Sequence, residues 1–228
     1  MLLAAGRGER MRPLTDKTPK PLLEVGGKPL IVWHIERLAQ AGLTDLVINH
    51  AHLGAQIESA LGDGSRFGVS IHYSKEIVAL ETAGGIAYAL PLIGTKPFAV
   101  INSDICCDYN FADLPMRADS LLASGDAAYL VLVDNPPHHP GGDFFLSEGR
   151  VLPAHDAKLT FSGIGIYQPA LFKEIPRGSK ASLAPLLRAQ IALCKVSGKH
   201  HHGLWMDVGT PERLAELDKQ LRSKQNTP

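Results

Sequence analysis

The sequence contains few cysteines, no excess of either charge and no long apolar run. Its 228 residues include three cysteines, at positions 106, 107 and 194, which excludes a disulfide framework and favours a reducing compartment such as the cytoplasm. Lysine plus arginine equals aspartate plus glutamate at 23 each, so net charge indicates neither nucleic acid nor an anionic membrane as a partner. No apolar run approaches the roughly 20 residues that a membrane span needs.

Apolar runs typical of strands alternate along the chain with amphipathic helical patterns. Ile31, Ile35 and Leu38 recur at helical spacing in a segment that ends at Gly42. This alternation predicts an α/β fold with a mainly parallel sheet flanked by helices, in a single domain over residues 1–228. Further helices are expected at 82–90, 183–196 and 211–221, and strands at 69–73, 98–101, 127–133 and 159–167. Ligands of such sheets bind beyond the carboxyl ends of the strands.

A cationic loop that contains glycine follows the first apolar residues. Gly6 and Gly8 can adopt the backbone angles that turn N–H groups inward around a polyphosphate. Arg12, with two further arginines at 7 and 10, can grip phosphate oxygens, and Lys20 adds a point charge between two prolines that stiffen the backbone. The segment predicts the triphosphate site of an enzyme that uses a nucleotide.

Two other glycine loops do not match this segment. The dinucleotide fingerprint requires a third glycine where this chain has Met11. A P-loop requires glycine, four residues, then Gly-Lys-Ser or Gly-Lys-Thr, and the sequence contains no such string. An ordinary solvated surface loop is the alternative, and the Thr-Pro-Lys-Pro segment at 18–21 argues against it.

Two aspartates each lie beside an expected strand end. Asp104 follows the apolar run 98–102, and Asp207 follows 204–206 and precedes Gly-Thr-Pro. Carboxylates so placed suit a Mg²⁺ ion held partly by protein and partly by phosphate oxygens. The alternative is that each aspartate only caps a turn or a helix.

Together these segments resemble the sugar-nucleotide pyrophosphorylases, which are nucleotidyltransferases acting on sugar 1-phosphates. After residues 3–30 the likeness recurs in the family's order at 62–71, 80–85, 100–104, 161–167 and 205–211. Within that family the chain is most similar to the bacterial N-acetylmuramate α-1-phosphate uridylyltransferases. That finer likeness rests on the segments 134–136, 142–144 and 195–198.

The resemblance implies a fold, a cofactor and roles for individual residues. It implies the Rossmann-like fold of nucleotide-diphospho-sugar transferases, with an insertion at about 134–158 whose short hairpin strands form the wall on the sugar side. Arg12 and Lys20 would be catalytic, and Asp104 and Asp207 would hold Mg²⁺. The expected nucleotide-binding residues are Ala4, Ala5, Gly6, Gly8, Glu76, Glu81, Thr82 and Gly84, and the expected sugar-binding residues are Asn102, Asp143 and Gly163.

The resemblance also implies substrates, with alternatives that the residues leave open. The implied reaction joins UTP to N-acetylmuramic acid α-1-phosphate in cell-wall sugar recycling. Mannose 1-phosphate with GTP, and glucose 1-phosphate with dTTP or UTP, are alternatives, as is a catalytically silent binder of sugar nucleotides that regulates a partner. Glu76 and Glu81 could instead be solvated surface charges, and the oligomeric state is left open.

Two positions depart from the family's pattern, and one histidine tract stands apart from it. The family mostly has glycine where Glu81 and Ser103 occur here. The tract His200-His201-His202 is expected in a turn, and the sequence shows no second ligand cluster that would make it a metal site.

Overall fold

The computed structural model describes residues 1–153 and 157–225, and these form thirteen strands and six α-helices. The strands are β1 (Leu2–Leu3), β2 (Glu24–Val25), β3 (Lys28–Pro29), β4 (Asp45–His50), β5 (Ser70–Lys75), β6 (Phe98–Asn102), β7 (Ile105–Cys107), β8 (Ala128–Val133), β9 (Phe144–Ser147), β10 (Arg150–Leu152), β11 (Lys158–Tyr167), β12 (Val196–His200) and β13 (Trp205–Asp207). The helices are α1 (Leu30–Gln40), α2 (Gly54–Leu61), α3 (Glu81–Ile93), α4 (Leu114–Ser124), α5 (Leu183–Ala192) and α6 (Pro211–Gln225). No helix in the described ranges is both long enough and apolar enough to cross a membrane.

The chain divides into two compact units. The first unit comprises Leu2–Ala79, Asn102–Cys107 and the chain from Met206 onward. The second unit comprises Met1, Leu80–Ile101 and Asp108–Trp205. The single domain expected over residues 1–228 stays a prediction.

In the first unit the strands β5, β4 and β1 lie side by side in that order, and all run parallel. Helix α2 connects β4 to β5. Two parallel strands need a crossover connection of this kind. Helix α1 buries the predicted face of Ile31, Ile35 and Leu38, so the predicted helix is confirmed. The helix predicted at 82–90 is confirmed as well, by α3 of the second unit, which extends beyond it at both ends.

In the second unit the strands follow the order β6-β11-β8-β12-β10-β9. Strand β11 runs antiparallel to both β6 and β8, whereas β12 runs parallel to β8. The α/β class is confirmed, but here the pairing is mixed rather than mainly parallel. The reason lies in the connection, because the described residues between β8 and β11 form the strands β9 and β10 and no crossover helix, and a return of that kind favours an antiparallel neighbour.

The helix expected over 183–196 is shorter than predicted. Helix α5 ends at Ala192, and Cys194 has a positive φ of 55° that ends the helical path. Val196 is instead fully buried in β12, in register with Ala128. His200 is the last residue of that strand, so the turn expected over the histidine tract begins only after it.

The insertion at 134–158 contains the predicted hairpin. Strands β9 and β10 pair antiparallel, with Ser147 opposite Arg150. Glu148 and Gly149 between them both have positive φ, as the two-residue hairpin turn requires. Arg150 anchors the hairpin through two hydrogen bonds to the carboxylate of buried Asp126, at 2.6 and 3.0 Å. Residues 154–156 of the insertion lie outside the described ranges, and its place on the sugar side stays a prediction.

Candidate active site

The glycine loop closes on itself around Gly8. This residue has a left-handed backbone (φ 69°, ψ 42°), and its carbonyl oxygen accepts hydrogen bonds from the N–H of Met11 (2.9 Å) and the hydroxyl of Thr15 (2.8 Å). Met11 is fully buried in a core cluster with Leu23 and Val25. The loop is therefore held by an apolar anchor that the sequence interpretation missed, although Met11 is the single apolar residue between Gly6 and Pro13.

Two arginines of this loop, Arg7 and Arg12, are exposed and paired with exposed carboxylates. The Nε of Arg12 lies 3.3 Å from Glu9 and 3.0 Å from Asp16, and the Nε of Arg7 lies 2.8 Å from Glu9. His52 also contacts Arg7, at 3.1 Å. Exposed pairs of this kind contribute at most about 1 kcal/mol, so a polyphosphate can displace the carboxylates from both guanidinium groups.

Lys20 is brought to Asp104, which is 84 residues away in the sequence. The lysine is only 9% exposed, and its Nζ lies 2.5 Å from the Oδ2 of Asp104. A short 3₁₀ turn over Lys20–Leu22 carries it, and the prolines at 19 and 21 restrict the backbone there. Two of the predicted site residues therefore form one ion pair.

Asp104 directly precedes β7, and Asp207 is the last residue of the neighbouring strand β13. Strands β7 and β13 form a two-stranded sheet, and the N–H of Val208 donates to the carbonyl oxygen of Asp104 at 2.7 Å. The Oδ1 of Asp207 lies 2.6 Å from the guanidinium of Arg213 on α6. Each carboxylate is thus paired with its own cation, Lys20 or Arg213.

The chemistry of these donors fits a divalent cation. Carboxylate oxygens are hard ligands of the type that Mg²⁺ prefers. The two carboxylates belong to adjacent strand segments joined by a backbone hydrogen bond, and both side chains keep some exposure, 37% for Asp104 and 24% for Asp207. A cation that retains waters and phosphate oxygens in its coordination shell could therefore reach both.

A chain of hydrogen bonds joins Glu76 to the first residues of the loop. The N–H of Ala4 donates to Asn49 Oδ1 (3.0 Å), and Asn49 Nδ2 donates to Glu76 Oε1 (2.7 Å). Glu76 is only 4% exposed, so the alternative of a solvated surface charge is wrong for this residue. Asn49 was missed in the sequence, where its signal is a polar side chain inside the apolar strand β4.

Ser103 forms hydrogen bonds with the protein backbone. Its hydroxyl donates to the carbonyl oxygen of Leu3 at 2.6 Å, and its N–H donates to the same oxygen at 3.1 Å. The residue is 3% exposed. Where the family mostly has glycine, this serine ties the end of β1 to the segment that carries Asp104.

The remaining predicted residues of the nucleotide and sugar sites lie mostly in the second unit, and each has a local structural role. Glu81 begins α3 with φ 61°, and its carboxylate accepts a hydrogen bond from the Ser182 hydroxyl; Thr82 is the next residue of that helix. Asp143 accepts from the N–H of Phe161 at 2.8 Å and lies 3.1 Å from His139. Their substrate contacts stay predictions.

Gly163 and Asn102 occupy irregular or terminal positions of strands. Gly163 has φ 83° at a bulge of β11, where the pairing with β8 shifts between Phe161 and Ile164. Asn102 is the last residue of β6 and belongs to the first unit. Neither position conflicts with a sugar-binding role, which stays a prediction.

Gly84 is held by close packing within the second unit. It is buried in α3, and a Cβ placed there would lie 2.4 Å from the carbonyl oxygen of Ser179. The N–H groups of Ala83 and Gly84 both donate to the carbonyl oxygen of Ala181, at 3.0 and 3.1 Å.

We expect Gly84→Ala to lower the free energy of unfolding by about 2 kcal/mol or more, because backbone atoms must move to admit the methyl group. Urea unfolding measures the change. Gly141→Ala is the control, since a Cβ at that exposed position meets nothing within 4 Å. Equal stability of the two variants would contradict the packing argument.

His34 supports the segment that carries Asp104. It is buried in α1, and its ring Nε2 lies 2.8 Å from the carbonyl oxygen of Ile105. Burial is the largest influence and lowers the pKa of His34 from 6.5 to about 4, despite the opposing effect of this hydrogen bond. The ring is therefore neutral at pH 7 and donates from Nε2.

This pKa predicts a loss of stability in acid. Between about pH 6.5 and pH 4 the unfolded chain binds a proton at His34 and the folded chain does not, so stability falls as the pH falls. The loss from this group should reach about 2 kcal/mol at pH 5 relative to pH 7.5. Urea unfolding at both pH values checks it, with His34→Gln as the comparison because glutamine keeps a donor and does not titrate. An identical pH dependence in both proteins would contradict the assignment.

Comparison with known proteins places this chain in a family. A family model described as nucleotidyl transferase matches residues 1–224. The chain is 58% identical over 220 residues to an N-acetylmuramate alpha-1-phosphate uridylyltransferase of Neisseria meningitidis, covering 95% of each chain. It is 34% identical to a protein of the same name from Caulobacter vibrioides, covering 97% of this chain and 96% of the other.

Solved structures share the fold at lower identity. A Bacillus anthracis protein in complex with sucrose, to which glucose-1-phosphate thymidylyltransferase activity is attributed, matches with a TM-score of 0.84 at 23% identity. The match covers 97% of this chain and 94% of that one. A UDP-glucose pyrophosphorylase complexed with UDP-glucose matches with a TM-score of 0.75 at 20% identity, covering 98% and 97%. These likenesses confirm the expected fold.

Proposed function

Because the chain belongs to the nucleotidyl transferase family, we propose that it is the enzyme that joins UTP to N-acetylmuramic acid α-1-phosphate. The products are UDP-N-acetylmuramic acid and pyrophosphate, and the reaction serves the recycling of cell-wall sugar. One observation carries the proposal. Identity of 58% to a uridylyltransferase named for this sugar extends over 95% of both chains.

The proposed reaction is an in-line displacement at the α-phosphorus of UTP. An oxygen of the sugar phosphate forms a bond to that phosphorus, and the bond to the bridging oxygen of pyrophosphate breaks. The attacking phosphate is already ionised at neutral pH, so no general base is needed, and the protein contributes positioning and charge. Lys20, fixed on its short turn, stabilises the charge that develops on the transferred group, and Arg12 holds the β- and γ-phosphates.

We propose Mg²⁺ as the divalent cation, held by Asp104 and Asp207. When bound, it neutralises phosphate oxygens and helps to orient them. Lys20 and Arg213 pair with the two carboxylates and restrict their side chains. Arg213 is a positioning residue in this account, since its contact is with Asp207.

Backbone groups of the first loop are proposed to face the nucleotide. The Glu76–Asn49–Ala4 chain of hydrogen bonds orients Ala4, and Ala5, Gly6 and Gly8 continue the same loop. Glu81, Thr82 and Gly84 are proposed to complete the nucleotide contacts. For the sugar the proposed residues are Asn102, Asp143 and Gly163.

A different sugar and base form the second candidate. Mannose-1-phosphate guanyltransferase of Hypocrea jecorina is 32% identical over 93% of this chain, although the match covers only 61% of that relative. The same lysine and aspartates would serve that reaction. Its lower identity and partial coverage favour the uridylyl reaction.

The test is pyrophosphate release from purified protein with MgCl₂, for every pairing of UTP, GTP, dTTP and CTP with four sugar 1-phosphates. The sugars are N-acetylmuramic acid, N-acetylglucosamine, glucose and mannose. We expect UTP with the muramic sugar to give the highest kcat/KM. Preference for another pair would discard the substrate, and no release with any pair would support a silent binding role.

A further inference from the structure

The ends of β8 and β12 bring three metal-binding side chains of the second unit together. The two strands run parallel, with His200 in register with Leu132, and the N–H of His201 donates to the Leu132 carbonyl oxygen at 2.8 Å. Asp134 is the first residue after β8, and His202 is two residues past the end of β12. Strands that end side by side place their following residues side by side.

The ligand atoms of Asp134, His200 and His202 form a compact group. The Nε2 of His200 lies 2.9 Å from the Oδ1 of Asp134. The rings of His200 and His202 have centroids 3.8 Å apart and are tilted by 46°. One ligand atom from each of the three residues lies within 4.8 Å of the others.

The middle histidine of the tract, His201, contacts a different aspartate. His200 and His202 contribute ligand atoms to the group with Asp134, and His201 does not. His201 lies 2.7 Å from Asp108 and packs edge-on against Tyr109, with ring centroids 5.5 Å apart. The tract thus divides into one histidine that supports the fold and two that meet a carboxylate.

We propose that Asp134, His200 and His202 bind a divalent transition-metal ion of the zinc type. Two imidazole nitrogens and one carboxylate oxygen are ligands that zinc accepts, and three protein ligands leave a coordination position open to water or another group. Zinc–ligand distances are about 2.0–2.2 Å. Small rotations of these partly exposed side chains bring the three atoms to such distances. The ion takes the place of the hydrogen between His200 and Asp134, and the neutral ring of His200 then carries its proton on Nδ1.

This site differs in chemistry from the pair Asp104 and Asp207. Those carboxylates offer hard oxygen ligands in the first unit, whereas two of the three ligands here are imidazoles. An ion at this site also fixes the start of the 134–158 insertion. Asn135, the next residue, donates to the carbonyl oxygens of Pro140 (3.1 Å) and Lys158 (2.9 Å), so Asp134 adjoins the base of that segment. The inference does not depend on the proposed function.

A second histidine–aspartate pair provides a matched control. His139 lies 3.1 Å from Asp143 in the same unit, and these side chains are also partly exposed, 43% and 36%. In the part of the chain that the structure describes, the group at 134, 200 and 202 is the one set of three or more such ligands whose ligand atoms lie within 4.8 Å of one another. The comparison of the two pairs therefore separates a metal site from a surface hydrogen bond.

Zinc binding to tag-free, chelator-treated protein is the test, measured by calorimetry with ZnCl₂ and by the visible spectrum after addition of CoCl₂. We expect one zinc ion per chain and cobalt bands of a four- or five-coordinate site. His202→Ala leaves the His200–Asp134 pair in place and should weaken zinc binding at least about tenfold, as should Asp134→Asn. His139→Ala should bind zinc as the unchanged protein does.

Unaltered zinc affinity in both His202→Ala and Asp134→Asn would overturn the proposal, and so would an equal loss in His139→Ala. Zinc held by a cysteine thiol would also appear as retained affinity in these variants. Circular dichroism of each variant confirms that the fold is kept. His202 is exposed, so its replacement is not expected to disturb packing.

Discussion

Replacing Lys20 by methionine is expected to lower the rate of pyrophosphate release by about two to three orders of magnitude. The Nζ of the lysine lies beside Asp104, and in the proposed mechanism its ammonium group stabilises charge that develops during phosphoryl transfer. Methionine keeps most of the apolar part of the Lys20 side chain, which packs against Gly8, but removes the charge. Steady-state kcat and thermal unfolding, measured on the same preparation, test the expectation.

Lys28→Met is the matched control for this variant. The Nζ of Lys28 lies 2.5 Å from Glu36, the same distance as in the Lys20–Asp104 pair, but Lys28 belongs to strand β3 and packs over Trp33. We expect its kcat to stay near that of the unchanged protein. Full activity of Lys20→Met, or an equal loss in Lys28→Met, would remove Lys20 from the mechanism.

Replacing Asp207 by asparagine is expected to lower kcat at least about a hundredfold and to raise the MgCl₂ concentration needed for half-maximal rate. Asparagine keeps the shape of the side chain but removes the charge that attracts the cation, and it leaves Arg213 without its ionic partner at 2.6 Å. Asp104→Asn should behave in the same way. Initial rates over a MgCl₂ titration at saturating substrates measure both effects.

Asp218→Asn is the control for the aspartate variants. Asp218 also pairs with an arginine of α6, with 2.8 Å between its Oδ2 and the Nε of Arg222, and its Oδ1 accepts from the Gly26 N–H. We expect this variant to keep the MgCl₂ dependence of the unchanged protein. An unchanged MgCl₂ dependence in Asp207→Asn and Asp104→Asn would contradict their role as metal ligands.

Local chemistry made the conformation of the glycine loop and its neighbouring residues predictable from the sequence. Gly8 at a left-handed backbone position, Lys20 between prolines and Asp104 after an apolar run are each recognisable within a few residues. Their partners were not predictable in this way. Asn49 and Arg213 act through contacts with Ala4 and Asp207, and such contacts exist only once distant strands and helices have come together.

The strand direction of β11 and the residues that lie beside the histidine tract were likewise not predictable from local sequence. Periodicity predicted a strand at 159–167, but its antiparallel pairing depends on the connection that precedes it. In the sequence His200-His201-His202 shows no second ligand cluster. The pairing of β8 with β12 supplies Asp134, which lies 66 residues before His200.

The most direct test of the proposed reaction is a competition between two sugars. The enzyme would receive UTP and MgCl₂ with equal concentrations of N-acetylmuramic acid 1-phosphate and N-acetylglucosamine 1-phosphate, and early products would be counted by mass spectrometry. These sugars differ by the lactyl group alone. Because they compete for the same enzyme at equal concentrations, the early product ratio equals the ratio of their kcat/KM values. We predict at least about a hundredfold excess of UDP-N-acetylmuramic acid. A ratio near one, or an excess of UDP-N-acetylglucosamine, would contradict the proposed substrate.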